Sequence, residues 1–215
     1  SGSIVVGRDK EIRTMLECLE RSENKAITII GDSGIGKTSI INAFVKEICN
    51  NKDEMLQQVS VVGLNTAKLL AGTSSENEIS QKIVALIHKL KQIEQVVLVI
   101  NDLQVLLENG NTGKSTTLIN ILNAQIGEGA CNLIFTITND AYRKHIEKQS
   151  IESKLVIINA EELDYSTLLC AMYLHKKEIE SHYNLEISDD CIPNVIQLSR
   201  RYFKERSLPS AAIDL

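Results

Sequence analysis

The run Gly31-Asp32-Ser33-Gly34-Ile35-Gly36-Lys37-Thr38 fits the pattern G-x-x-x-x-G-K-[ST]. It lies between a short apolar stretch, Ala26 to Ile30, and a helical stripe made of Ile40, Ile41, Phe44, Val45 and Ile48. The pattern needs that context, a strand that delivers the chain into a tight loop and a helix that leaves it. In such a loop the glycines let backbone N–H groups wrap a phosphate, and the helix N-terminus adds a positive dipole end. The Lys37 ammonium then reaches the β and γ phosphates of a nucleotide, and the Thr38 hydroxyl can ligate Mg²⁺. At average composition the pattern arises by chance in about one chain in a hundred of this length. A second Gly-Lys-Ser, Gly113-Lys114-Ser115, has Gly110 only three positions earlier and no strand feeding it, so it reads as a polar loop.

The rest of the chain repeats the strand-then-helix unit. Ile12, Met15, Leu16 and Leu19 predict a helix that follows Asp9 and ends near Ser22. Strands are expected at Val59 to Leu64, Val96 to Ile100, Cys131 to Ile137 and Leu155 to Ile158. Helices are expected at Ile79 to Leu90, Ser115 to Ile126 and Ala141 to Lys148. Asn109 to Gly113 is a loop signal between the third strand and its following helix. This alternation predicts an α/β fold, a parallel sheet covered by helices on both faces. After Asn159 only helical patterns remain, Leu163 to His182 and Asp189 to Tyr202, with another starting in the tail from Leu208. A boundary near residue 160 thus divides an α/β core, residues 1–160, from a small helical subdomain, residues 161–215.

Composition narrows the function. Aromatics make up 4% of the 215 residues and Trp is absent, so burial rests on Ile, Leu and Val, as parallel sheets arrange it. A net charge of −5 argues against a general nucleic-acid binder, which needs a Lys/Arg surplus on some face. Five cysteines without a C-x-x-C pair read as reduced thiols rather than a disulfide framework or a zinc knuckle. No apolar run is long enough to span a bilayer, and Ser1-Gly2-Ser3 reads as an expression scar rather than a targeting peptide. The expected compartment is the cytoplasm or an organelle interior. His175 and His182 lie seven apart on a predicted helix and read as a surface pair, not a metal site.

Hydrolysis at a phosphate loop calls for a carboxylate at the end of a neighbouring strand to hold Mg²⁺ through water, and commonly a second to orient the attacking water. The strand from Val96 to Ile100 ends in Asn101-Asp102. Asn101 is neutral, and Asp102 is one methylene shorter than Glu, about an ångström of reach that matters to catalysis. With the register slipped so that Asp102 holds the metal, Leu103 takes the catalytic position. Either way one of two carboxylates is missing. Thr138 and Asn139, after the next strand, can reach a γ-phosphate or its attacking water; Asn139 or Asp140 can equally cap the following helix.

Val6-Gly7-Arg8-Asp9 before the first helix, the Gly31 to Thr38 loop, Leu69-Leu70-Ala71-Gly72-Thr73, the Asn101-Asp102 strand end, Tyr142-Arg143 with Ile146-Glu147-Lys148, and Leu208-Pro209 with Ala212-Ile213-Asp214-Leu215 occur in one order along the chain. Together they resemble the first ATPase domain of the Clp-type AAA+ unfoldases, such as ClpA and ClpB. The resemblance implies a phosphate-loop AAA+ core with a helical lid, ATP or ADP with Mg²⁺ bound between them, and hexameric rings in which each site borrows groups from its neighbour. It places Val5 to Arg8, and so Val6 and Arg8, near the adenine. It further implies a polypeptide substrate or a protease partner for the full-length protein, and a lid whose final helix continues past Leu215.

The departures from that family are specific. Family members carry Asp-Glu at Asn101-Asp102, an Arg pair within Glu152-Ser153-Lys154-Leu155, and Asp-Lys at Ser210-Ala211. They carry an aromatic pore-loop residue where this chain has Ser74-Ser75-Glu76-Asn77. Ser153 is uncharged, and Lys154 offers a point charge without the planar fork that grips a phosphoryl group. The sequence therefore predicts a nucleotide-binding domain with weak or lost hydrolysis and an assembly or regulatory role. A working ATPase, with Asp102 as sole carboxylate and Lys154 as a weak finger, is the alternative.

Overall fold

The structure is a computed structural model that describes residues 5–20, 26–51, 54–71, 76–93, 95–108, 116–129, 132–203 and 206–215. Ser74-Ser75 of the expected pore loop, the Asn109 to Gly113 loop and Gly113-Lys114-Ser115 lie outside them.

Five parallel strands form one sheet: β1 (Ala26–Ile30), β2 (Ser60–Leu64), β3 (Val96–Ile100), β4 (Asn132–Ile137) and β5 (Leu155–Asn159), in the order β2-β3-β4-β1-β5. β1 and β3 are buried at every position, which is why they read as continuous apolar runs. Their side chains still alternate between two layers. Val97 and Val99 of β3, with Ile27 and Ile29 of β1, join Met15, Ile40 and Phe44 of α1 (Asp9–Glu20) and α2 (Lys37–Asn50) on one face. Leu98 and Ile100, with Phe135 of β4, join Ile83, Ile87 and Leu122 of α5 (Glu76–Leu90) and α7 (Thr116–Gly127) on the other. Both faces are covered, as expected.

The strand order corrects one expectation. β3 does not neighbour β1; β4 pairs with both and lies between them. Chain alternation fixes direction and cover but not lateral order, so the Asn101-Asp102 strand end stands two strands from the phosphate loop and the Thr138 end stands beside it.

Short helices also escaped the periodicity: α3 (Glu54–Gln57), α4 (Thr66–Leu70) and α6 (Leu103–Glu108), the last burying Leu103, Leu106 and Leu107. α8 runs Asn139–His145, two residues earlier than expected, because its cap is Thr138, whose hydroxyl accepts from the Ala141 N–H at 3.3 Å. A 3-10 turn, Glu152–Lys154, leads into β5. Glu152 there accepts from the Tyr142 hydroxyl at 2.9 Å and the Lys148 N–H at 2.8 Å; burial and that carboxylate push the Tyr142 phenol up to about 12.

From residue 165 the chain is helical: α9 (Tyr165–Tyr183), α10 (Cys191–Tyr202) and α11 (Ser210–Ile213). α9 starts after Asp164, whose carboxylate accepts from the hydroxyls and the N–H groups of Ser166 and Thr167 and lies below its usual carboxylate range, chiefly through the two hydroxyl bonds. Leu168, Met172, Ile192, Ile196, Leu208 and Ala212 form a separate small core. Among the described residues no helix is long and apolar enough to cross a membrane.

Candidate functional site

The phosphate loop leaves β1 at the carboxyl edge of the sheet, pinned between its neighbours: the Gly31 N–H donates to the Ile137 carbonyl at 3.2 Å, and the Ala160 N–H donates to the Ile30 carbonyl at 2.7 Å. Such an edge is where open α/β sheets take ligands. Gly34 has φ +84°, and a Cβ there would stand 2.8 Å from the Ser210 Cβ, so both conformation and space demand glycine. Gly36 has φ +97° and opens α2; a Cβ there would meet nothing closer than the Ser39 Cβ at 4.0 Å. The loop is thus shaped by left-handed glycines around an open concavity at a helix N-terminus, which fits a phosphate.

Lys37 is buried, and its ammonium donates to the loop's own carbonyls, Gly31 O at 2.7 Å and Asp32 O at 2.9 Å. Burial lowers its pKa below the ordinary value; the negative charges of Asp102 and Asp32 act in the opposite sense. The Asp102 carboxylate is therefore within electrostatic reach of Lys37, although β4 separates their strands. Thr38 is exposed on the first turn of α2, beside the loop.

Asp102 adopts φ +51°. Its N–H donates to the Thr136 hydroxyl at 2.7 Å, and its Oδ1 accepts from the Gln104 amide at 3.1 Å. Asn101 keeps a buried Oδ1 with no hydrogen-bond donor among the described residues, an acceptor suited to a metal-bound water. Leu103 is fully buried in the core, which removes it from any catalytic position. Thr138 spends its hydroxyl on the α8 cap, and the Asn139 amide donates to Asp32 Oδ1 at 2.6 Å, tying the end of β4 to the phosphate loop.

Beside the loop lies a cleft open to solvent. Val6, Arg8, Ile35 and Gly36 line one side; Leu163, Met172, His175 and Pro209 line the other. Arg8 is buried, and its guanidinium donates to Ile35 O at 3.0 Å, Glu161 O at 2.8 Å and Glu11 at 3.0 Å. It joins the loop to the chain that enters the helical part. Ser39, Met172, His175, Glu178 and Pro209 were missed as wall residues. The signal that carries three of them is the spacing of Met172, His175 and Glu178 along one face of α9. His175 is half-buried in this wall rather than paired with His182, whose ring packs edge-on against Tyr183 with centroids 4.7 Å apart.

Residues 3–168 match the family described as Novel STAND NTPase 1, and residues 169–215 match the AAA lid domain. The ClpC ATP-binding subunit of the Clp protease from Staphylococcus aureus is 32% identical over 213 residues, 98% of this chain and 26% of that protein. ClpC/MecB of Bacillus subtilis, a negative regulator of genetic competence, is 30% identical over the same length. The Saccharomyces cerevisiae Hsp104–ADP complex superposes with a TM-score of 0.83 at 27% identity, over 99% of this chain and 30% of that one. A closed-state Hsp104 reconstruction with ATPγS and casein gives 0.81 at 27%, over 98% and 36%.

The chain is an AAA+ domain of the Clp type.

It spans about a quarter of the length of the curated relatives it matches. In this AAA+ domain the lid reaches the phosphate loop directly: the Ser207 N–H donates to Ser33 O at 3.2 Å, and the Ser210 N–H donates to Gly34 O at 3.3 Å. In the Glu152 to Leu155 segment Ser153 is exposed, and the polar side chains bond within the chain. The Lys154 ammonium donates to the Asn123 carbonyl at 2.9 Å and fills the space over Gly127, and the Ser153 hydroxyl donates to Ser150 O at 3.1 Å. The Lys154 ammonium is thus engaged at the C-terminal end of α7 within its own chain.

Proposed function

We propose that this AAA+ domain binds ATP or ADP with Mg²⁺, hydrolyses ATP weakly or not at all, and serves as a nucleotide-stabilised assembly or regulatory module of a Clp-like chaperone. Residues 1–160 act as the nucleotide-binding core and residues 161–215 as its lid. The observation that carries the reading is a phosphate loop of intact sequence with the lid hydrogen-bonded to it, supported by Asn101-Asp102 and Ser153-Lys154 standing where the resembled family carries Asp-Glu and an Arg pair. Gly31 to Thr38 hold the phosphates, Lys37 exchanging its bonds to the loop carbonyls for phosphate oxygens. Val6 and Arg8 form the base side of the cleft. Thr38 and the Asn101-Asp102 edge fit a hydrated Mg²⁺, which when bound neutralises phosphate charge. Asp102 is the one carboxylate at that edge, and Thr138 stays a cap.

In the full-length protein the domain sits in a ring, a hexamer by its relatives, that acts on a polypeptide and can dock a protease. Loss of the arginine pair removes a group worth about three to five orders of magnitude in turnover in phosphate-loop enzymes. The test is calorimetry of this chain with ATP and ADP, joined to turnover by the full-length protein with any other ATPase site disabled. Binding with little turnover is expected; no binding, or brisk turnover, overturns the reading.

One observation favours the second reading, a working ATPase: Asp102 is held in a defined conformation by Thr136 and Gln104, within electrostatic reach of Lys37. It predicts that Asp102→Asn abolishes hydrolysis by the assembled protein.

A further inference from the structure

The cleft beside the phosphate loop has an apolar wall with few polar side chains on it: Arg8, Ser39, His175 and Glu178. Arg8 is committed within the chain to Glu11, Ile35 O and Glu161 O, so its donors face protein rather than ligand. Ser39 sits two residues after Lys37 in the first turn of α2, at the phosphate end. His175 and Glu178 stand on α9, on the opposite wall. Glu178 Oε2 lies 3.5 Å from His175 Nδ1, within ion-pair distance and beyond a good hydrogen bond, so the carboxylate keeps acceptor capacity. Lys176, the next residue along α9 after His175, is committed to Glu180 and Asp189 and leaves the Glu178 charge in place.

A carboxylate is the wrong group for the phosphate end, where it would repel the anion. It suits the uncharged half of a nucleotide, whose ribose hydroxyls and exocyclic amino group are hydrogen-bond donors, and a charged acceptor makes the stronger bond. We propose that Glu178 accepts a hydrogen bond from a donor of the nucleoside half and so makes the cleft selective for nucleosides that present one there. This rests on the nucleotide-binding reading above. Nothing in the Gly31 to Thr38 pattern carries it, because that loop addresses phosphate alone.

Calorimetry on this chain tests it with ADP, 2′-deoxy-ADP, inosine diphosphate and inorganic pyrophosphate. Wild-type affinity falls at least about fivefold from ADP to one of the two analogues, the loss of one charge-assisted bond. Weakening with 2′-deoxy-ADP assigns the donor to the ribose, and weakening with inosine diphosphate assigns it to the base amino group. Glu178→Ala, at an exposed position, lowers ADP affinity by the same factor, leaves pyrophosphate binding unchanged, and erases the gap between ADP and the weakened analogue. Equal wild-type affinity for all three nucleotides, unchanged ADP binding by Glu178→Ala, or a parallel loss of pyrophosphate overturns the inference while leaving nucleotide binding intact. Failure of the wild type to bind ADP overturns both, and Lys37→Ala, which should lose ADP and pyrophosphate together, reports on the phosphate loop separately.

Discussion

The backbone N–H of Asp102 donates to the hydroxyl of Thr136 at 2.7 Å, across from the end of β3 to the fully buried interior of β4. At φ +51° the Asp102 backbone sits in a region that a non-glycine residue rarely adopts, and this bond is what holds it there. The charged edge of the site therefore depends on a residue in the strand between it and the phosphate loop.

Thr136→Val keeps the shape and removes the acceptor. The Asp102 N–H then loses its partner, at a cost of about 1–3 kcal/mol in denaturant unfolding. Thr136→Ser restores most of it. A Val variant as stable as the wild type would show that Asp102 needs no such support.

Arg8 joins three segments through three acceptor atoms, Glu11 Oε1 and the carbonyls of Ile35 and Glu161. Arg8→Ala leaves the Ile35 and Glu161 carbonyls unsatisfied and should cost about 2–4 kcal/mol of stability, together with weaker ADP binding. Lys at this position keeps the charge but not the fork, so Arg8→Lys should recover little. Full recovery by Lys would reduce the role of Arg8 to its charge.

Burial of Lys37 has a consequence in pH. Its folded pKa lies below its unfolded value near 10.5, so the unfolded chain binds the extra proton between the two. This group thus opposes folding most at low pH and less as pH rises through that window. Measured against Lys37→Met, wild-type stability without nucleotide should gain as pH rises toward the unfolded value near 10.5. A difference that stays flat, or runs the other way, contradicts the burial argument. At a hundredfold excess over Kd, ADP should add about 2.7 kcal/mol to the wild type and nothing to Lys37→Ala.

Lys154 stabilises its own chain. Lys154→Ala should lower stability by about 1 kcal/mol through the lost bond to the Asn123 carbonyl, and leave the turnover of the assembled protein unchanged. A turnover loss without a stability change would restore Lys154 to the neighbour's site.

The phosphate loop, the buried strands and the two covered faces were legible in the sequence because each is a local pattern: glycines at fixed offsets, and apolar runs alternating with helical stripes. The place of β4 between β1 and β3 was not, since lateral order is set by packing between segments about a hundred residues apart in the case of Ile27 and Ile134. Nor was the wall made by Met172, His175 and Glu178. One helical stripe serves both the lid's own core, through Met172, and the cleft, and periodicity alone cannot tell which residues do which. The α6 turn of Leu103, Leu106 and Leu107 was simply too short to show a period.

The two bonds from Ser207 and Ser210 to the carbonyls of Ser33 and Gly34 make the phosphate loop and the lid parts of a single lever. Those carbonyls belong to the same peptide units that must orient around an anion, so tightening on phosphate tugs the segment before α11. The position of the segment before α11 is thereby coupled to the shape of the phosphate loop.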